Sequence, residues 1–334
     1  MNEFRDFISN ASKGLVLGRG GSAEEPHIKI AVIDDGIDTT HKDLHGHVVG
    51  GHFFGLDKPS PFWVSAGGHG TMMARLITRV FPKAEILSLK LDSQEQFQGQ
   101  RQFSIDSAAR AIQWAKDCGV PIISMSWSIE KVGETTKNLK ILEDAVHAAK
   151  GDNILMFCSC NDQGDGEDNS YPGVYSGTIK IGAATAMGAK CQYVSASDRV
   201  HYLFPGRVME NEKDEETAGN AGKSFKDRSV EGSSLATALA SGLAGLILYM
   251  FRLTSLKCEG NIATRLNIIA NSPPKMEQVF DKLKSPKKSV EVWKNFQGIE
   301  EKVSDAARSM GRGPAARHKV MEDICRDLIS NIPT

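Results

Sequence analysis

Five short apolar runs recur along the chain: "HIKIAVID" (27–34), "AEILSLKL" (84–91), "VPIISMSWS" (120–128), "NILMFCSC" (153–160) and "GTIKIGAAT" (177–185). Each matches a strand buried on both faces of a sheet. Between them lie helical patterns such as "SIDSAARAIQWAKDCG" (104–119) and "NLKILEDAVHAAKG" (138–151). This alternation predicts an α/β fold of three layers, a mostly parallel sheet with helices on both faces. In such folds ligands lie outside the carboxyl ends of the strands, so the active edge is named before any site residue is chosen.

The 334 residues and 40% hydrophobic content suffice for a substantial core. Forty basic residues against 41 acidic ones give a net charge of −1, so no global field draws in nucleic acid or an anionic membrane. No apolar run is expected to span a membrane, and "MNEFRDFISNASKG" is unlike a signal or transit peptide. The expected location is the cytoplasm. The six cysteines are scattered and read as reduced thiols; the Cys158/Cys160 pair has no second pair to complete a metal site.

The sequence divides into an N-terminal segment (1–27), a main domain (28–253) and a helical C-terminal extension (254–334) packed on or tethered to it. The extension carries 14 Lys/Arg against 10 Asp/Glu and includes a proline-started helix at "NSPPKMEQVFDKL". A surface loop is expected over 207–229, where the apolar period is lost.

Four residues at the predicted edge can carry chemistry. Asp34 ends the first core strand in "VIDDGID". His69 opens an apolar helix between two glycines in "GGHGTMMARL". Asn161 leaves a buried strand in "CSCNDQG". Ser234 stands with Ser233 at the mouth of the apolar "VEGSSLATALASGLAGLILYM" (230–250). Each has an ordinary reading as well: a turn or cap for Asp34 and Asn161, a packing or capping role for His69, an N-cap for either serine. Asp34, Asp35 and Asp38, with His41, His45 and His47, are the residues a metal-dependent hydrolase would use.

Taken in order, "VIDDGID", "GGHGTMMARL", "MSWS", "CSCNDQG", "YPG" and "GSSLATALASGLAGLIL" resemble the subtilisin-like serine peptidases, from about Ile28 to Leu253. The resemblance implies a subtilisin-like fold and a serine endopeptidase acting through an acyl-enzyme. In it Asp34 orients His69, His69 deprotonates Ser234, and Asn161 with the Ser234 backbone N–H forms the oxyanion hole. It also implies a substrate strand along Ser126, Trp127 and Ser128, with Cys158, Ser159 and Cys160 on the other side of the specificity pocket. The family usually has glycine where Ser128 and Cys160 stand, so an aromatic P1 side chain is expected to be excluded. Asp165, Glu167 and Asp168 are read as an acidic stretch favouring basic P1.

Other departures are Ala238 in place of the family's proline and Leu239 in place of its common histidine. The calcium-binding insertion after the histidine helix is missing, so no metal is expected, at Asp43 or elsewhere, and no cofactor. No pro-domain of the usual size precedes Ile28. The implied partner is a polypeptide substrate, with a regulatory domain or partner protein as a further expectation. The alternative is an inactive scaffold of the same fold serving as a binding or signalling module.

Overall fold

A computed structural model describes residues 25–56, 59–95, 101–130, 135–164, 166–195, 199–209, 229–258, 260–292, 296, 298–310 and 314–333. Its strands are β1 (Ile28–Asp34), β2 (Val48–Phe53), β3 (Ala84–Lys90), β4 (Ser93–Glu95), β5 (Arg101–Phe103), β6 (Ile122–Met125), β7 (Leu155–Ser159), β8 (Thr178–Ala184), β9 (Tyr202–Pro205), β10 (Arg207–Met209) and β11 (Ser229–Glu231). The helices are α1 (His69–Val80), α2 (Ile105–Asp117), α3 (Thr136–Gly151), α4 (Ser233–Ser255), α5 (Asn261–Ala270), α6 (Pro273–Leu283), α7 (Ile299–Met310) and α8 (Pro314–Ile329). Seven strands form one parallel sheet in the order β2-β3-β1-β6-β7-β8-β9. The predicted loop over 207–229 is bounded by a short antiparallel pair, β10 with β11; residues 210–228 lie outside the described ones.

Side chains of a strand alternate between faces, and β1 sorts its apolar residues into two cores accordingly. Ile28, Ile30 and Val32 join α1 and α4 on one face, whereas Ala31 and Ile33 join α2 and α3 on the other. That is why the run is apolar from Ile30 to Ile33 instead of alternating. The five apolar runs are β1, β3, β6, β7 and β8; the two outer strands left no such run. β2 is covered only in part, so its letters "VVGGHF" do not need to be continuously apolar.

Helix α4 has 23 residues and a mean hydropathy of 1.7 over its most apolar window, long and apolar enough to cross a bilayer. This corrects the expectation that no such run exists. Ser, Thr and Gly break up the letters, but Arg252 is its single charged residue. Most of its side chains are buried against the sheet on one side and the C-terminal helices on the other. Met276, Phe280, Met321, Cys325 and Leu328 extend that core from α6 and α8, and α6 begins at Pro273 as the sequence predicts.

Candidate active site

Asp34 closes β1 at the carboxyl edge, beside the point where the strand order reverses, and is 1% exposed. Its Oδ1 accepts the N–H of Asp35 at 2.8 Å, and His69 Nδ1 lies 2.8 Å from Oδ1 and 3.0 Å from Oδ2. His69 leads α1, with its side chain 39% exposed. The two glycines beside it have different causes. Gly68 takes φ +79°, which a larger residue rarely adopts, and Gly70 lets α1 meet β1, since a Cβ there would stand 2.4 Å from the Gly36 carbonyl oxygen.

Asp35, read from sequence as a candidate metal ligand, builds this corner. Its carboxylate accepts from Ser65 Oγ, Gly67 N–H and Gly70 N–H, each at 2.8 Å. It thereby satisfies a free donor at the start of α1 with a negative charge where the helix dipole favours one. Asp38 Oδ1 is bonded by the N–H and hydroxyl of Thr40. Among the described residues no group of three or more His, Cys, Asp or Glu is placed to hold a metal ion. Asp43 pairs with Arg75 at 3.0 Å.

Ser234 is half-buried at the mouth of α4. Its hydroxyl donates to the Ser126 carbonyl at 2.8 Å, and the Ser126 hydroxyl donates back to the Ser234 carbonyl at 3.1 Å. This reciprocal pair fastens the first turn of α4 to the exit of β6. Neither serine caps the helix in the expected way: the N-cap is Gly232, without a side-chain bond, at φ +151°.

Asn161 leaves β7 at the same edge. Its main chain is gripped on both sides, the N–H by Asp168 Oδ2 at 3.1 Å and the carbonyl by the Ser195 N–H at 3.1 Å and hydroxyl at 2.8 Å. Its side-chain amide donates to Glu130 at 3.3 Å, and Gln163 donates to the same carboxylate. Glu130 was not singled out in the sequence, because an exposed acid after a strand carries no local signal.

The residues assigned to the specificity pocket fall into two groups. Ser128 is partly exposed. Trp127 is buried, its indole N–H donating to the Ile33 carbonyl at 2.7 Å and its ring edge-on to Phe103. Cys158 is fully buried in the core that faces α2 and α3, where burial pushes its thiol up to about 12. Ser126, Ser159 and Cys160 are also buried, and burial raises the Cys160 thiol strongly.

The reading of the acidic stretch is corrected at Asp168; Glu167 is exposed. Asp165 lies outside the described residues. Asp168 is buried and ion-paired with the equally buried Lys180 at 2.9 Å; it also accepts from Ser170 N–H at 3.0 Å and Ser170 Oγ at 2.6 Å. Burial alone would raise its pKa, but the hydroxyl of Ser170, Lys180 and two backbone N–H groups hold it below the usual carboxylate value. A carboxylate so engaged is not available to a substrate cation.

Residues 25–255 match the model of the subtilase family (Peptidase_S8). The chain belongs to the subtilase family. Its fold and class follow: a three-layer α/β subtilase, a serine-type endopeptidase by family. This subtilase is 28% identical over 271 residues to an intracellular serine protease of Paenibacillus polymyxa, covering 75% of this chain and 77% of that protein. It is 29% identical over 195 residues to the major intracellular serine protease of Bacillus subtilis, covering 54% and 58%. Among solved structures it resembles the nisin leader peptidase NisP of Lactococcus lactis, with TM-score 0.60, 15% identity and 87% and 92% coverage. A lanthipeptide protease is similar at TM-score 0.59, 18% identity and 85% and 88% coverage.

Proposed function

We propose that this subtilase hydrolyses peptide bonds with Asp34, His69 and Ser234 as its triad, through an acyl-enzyme intermediate. The carrying observation is the bond between the buried Asp34 carboxylate and His69 Nδ1, at the edge where Ser234 stands in the first turn of α4. A carboxylate only accepts, so the ring proton sits on Nδ1 and Nε2 is the basic nitrogen. In the resting enzyme the Ser234 proton is held by the Ser126 carbonyl. The hydroxyl turns from there toward the imidazole when substrate arrives, attacks the carbonyl carbon and passes its proton to His69, which then protonates the leaving amine.

At the helix mouth, Gly232 N–H is spent on the Gly206 carbonyl and Ser233 N–H on Asp162. Ser234 N–H is next in line, and with the Asn161 amide it forms the oxyanion hole. That amide must exchange Glu130 for the oxyanion as the tetrahedral intermediate forms. The peptidase body is 28–253, with 254–334 as a helical extension packed on α4. The names of the bacterial relatives support an intracellular enzyme acting on polypeptides, and the side chain at Ser128 disfavours an aromatic P1.

A second reading, an inactive scaffold, is favoured by the bonds that occupy the Ser234 hydroxyl and the Asn161 amide at rest. Labelling with a fluorophosphonate decides between them. The wild type reacts and Ser234→Ala does not if the chain is a peptidase; an unreactive wild type refutes the triad.

A further inference from the structure

Helix α4 begins without a capping side chain of its own, because its N-cap is a glycine. The cap comes from another loop. Asp162 Oδ2 accepts the Ser233 N–H at 2.7 Å, and Asp162 Oδ1 accepts the Ser233 hydroxyl at 2.6 Å. The same hydroxyl accepts the Ala183 N–H at 3.1 Å, and the Ser233 carbonyl accepts the Thr237 hydroxyl at 2.8 Å. Every polar atom of this fully buried serine is therefore engaged, and it immediately precedes Ser234.

We propose that Asp162 is a positioning residue for the nucleophile: by clamping Ser233 at two atoms it fixes the turn from which the Ser234 hydroxyl projects. The inference rests on the reading of Ser234 as the nucleophile. Three considerations carry it. First, a two-point grip on adjacent backbone and side-chain donors fixes direction as well as distance, and bonds to a charged acceptor are stronger than neutral ones. Second, a carboxylate at a helix N-terminus meets the positive end of the dipole, and a cap supplied from outside leaves the hydroxyl of Ser234 unspent on capping. Third, Asp162 follows Asn161, so one dipeptide holds the oxyanion donor and the nucleophile turn in a shared frame. A Cβ on Gly232 would lie 3.3 Å from Asp162 Oδ2, which shows how closely the turn is laid against the clamp.

Asp162 lies at the surface while its carboxyl is tucked against Ser233, where burial raises its pKa, so thermal unfolding is measured beside kcat to separate positioning from folding. The test compares Asp162→Ala, Asp162→Asn, Ser233→Ala, Ser233→Thr and the double alanine variant of the full chain. The readouts are kcat and KM on a peptide substrate, the rate of fluorophosphonate labelling, and thermal unfolding. Losing bonds of this strength predicts kcat about ten- to a hundred-fold lower in Asp162→Ala and Ser233→Ala, with KM little changed. Ser233→Thr, which keeps the hydroxyl, and Asp162→Asn, which keeps an acceptor for the N–H, recover most of that rate. Because both partners serve one clamp, the double variant is no slower than the worse single one.

Wild-type kcat in Asp162→Ala, a loss confined to KM, or additive losses would overturn the proposal. Should Asp162→Ala fail to fold, the Ser233→Ala and Ser233→Thr pair decides on the same criteria. A wild type that does not label at all refutes the nucleophile assignment instead, which separates the two failures.

Discussion

Replacing Lys180 by methionine removes one half of an ion pair whose side chains are both fully buried, 2.9 Å apart. At an effective dielectric of about 20 the attraction over that distance is about 6 kcal/mol, opposed by the desolvation of both ions. Removing one partner of such a pair costs about 3–5 kcal/mol. A second route gives a similar size. If Asp168 responds by staying protonated at pH 7, about 3 pH units above its unfolded value, the cost is about 4 kcal/mol. With an unfolding entropy of about 2.1 cal/mol/K per residue over 334 residues, this lowers Tm by about 4–7 °C.

The pH dependence gives the prediction its sign. In the wild type the Asp168 pKa is depressed, so its contribution is present above the unfolded pKa near 4 and is lost only as pH falls through the lower folded value. In Lys180→Met, burial acts without the cation and raises the folded pKa, so the folded state binds the extra proton first and the variant gains stability as pH falls from 7 toward 4. Calorimetry across that range should show the gap between the two proteins narrowing on acidification. A Tm within about 1 °C of wild type, or a gap that widens at low pH, would refute the assignment of a working buried pair. Because Asp168 also holds the Asn161 N–H, kcat should fall together with stability.

Three further outcomes are expected. Asn161→Ala should lower kcat by about a hundred- to a thousand-fold with little change in KM, the magnitude characteristic of losing one oxyanion-hole donor in this family's type case. Gly70→Ala forces a Cβ to 2.4 Å from the Gly36 carbonyl, so α1 must shift, and proteolytic activity should drop at least tenfold at 25 °C even where circular dichroism remains native. Iodoacetamide applied to the folded protein should modify the exposed Cys118 well before the buried Cys158, Cys160 and Cys325, whose thiolates burial disfavours; mass spectrometry after brief labelling reads the order.

Much of the scaffold was legible because burial on both faces writes itself into letters. β1, β6, β7 and β8 are apolar runs for that reason, and the residues at their carboxyl ends could be named without coordinates. The edge strands β2 and β9 escaped notice for different reasons: β2 is only partly covered and needs no such run, whereas β9 is buried on both faces over just three residues, Tyr202–Phe204. Asp34 and His69 were found through their neighbours, a strand end and two glycines. The parts played by Asp35, Glu130 and Asp162 were not, because a carboxylate that accepts backbone or amide N–H groups from a distant segment looks the same in sequence as one facing water.

The sequence by itself determined the layers, the carboxyl edge of the sheet and the order of the candidate residues along it, since hydrophobic period and strand ends are local properties of the chain. Tertiary structure alone decided what each charge does. Asp168, 12 residues from Lys180 in sequence, is neutralised by it in the core, and Asp162, 71 residues from Ser233, caps its helix. Electrostatic partners are chosen by distance in space, and in a parallel sheet the crossovers bring together residues that no sequence window contains.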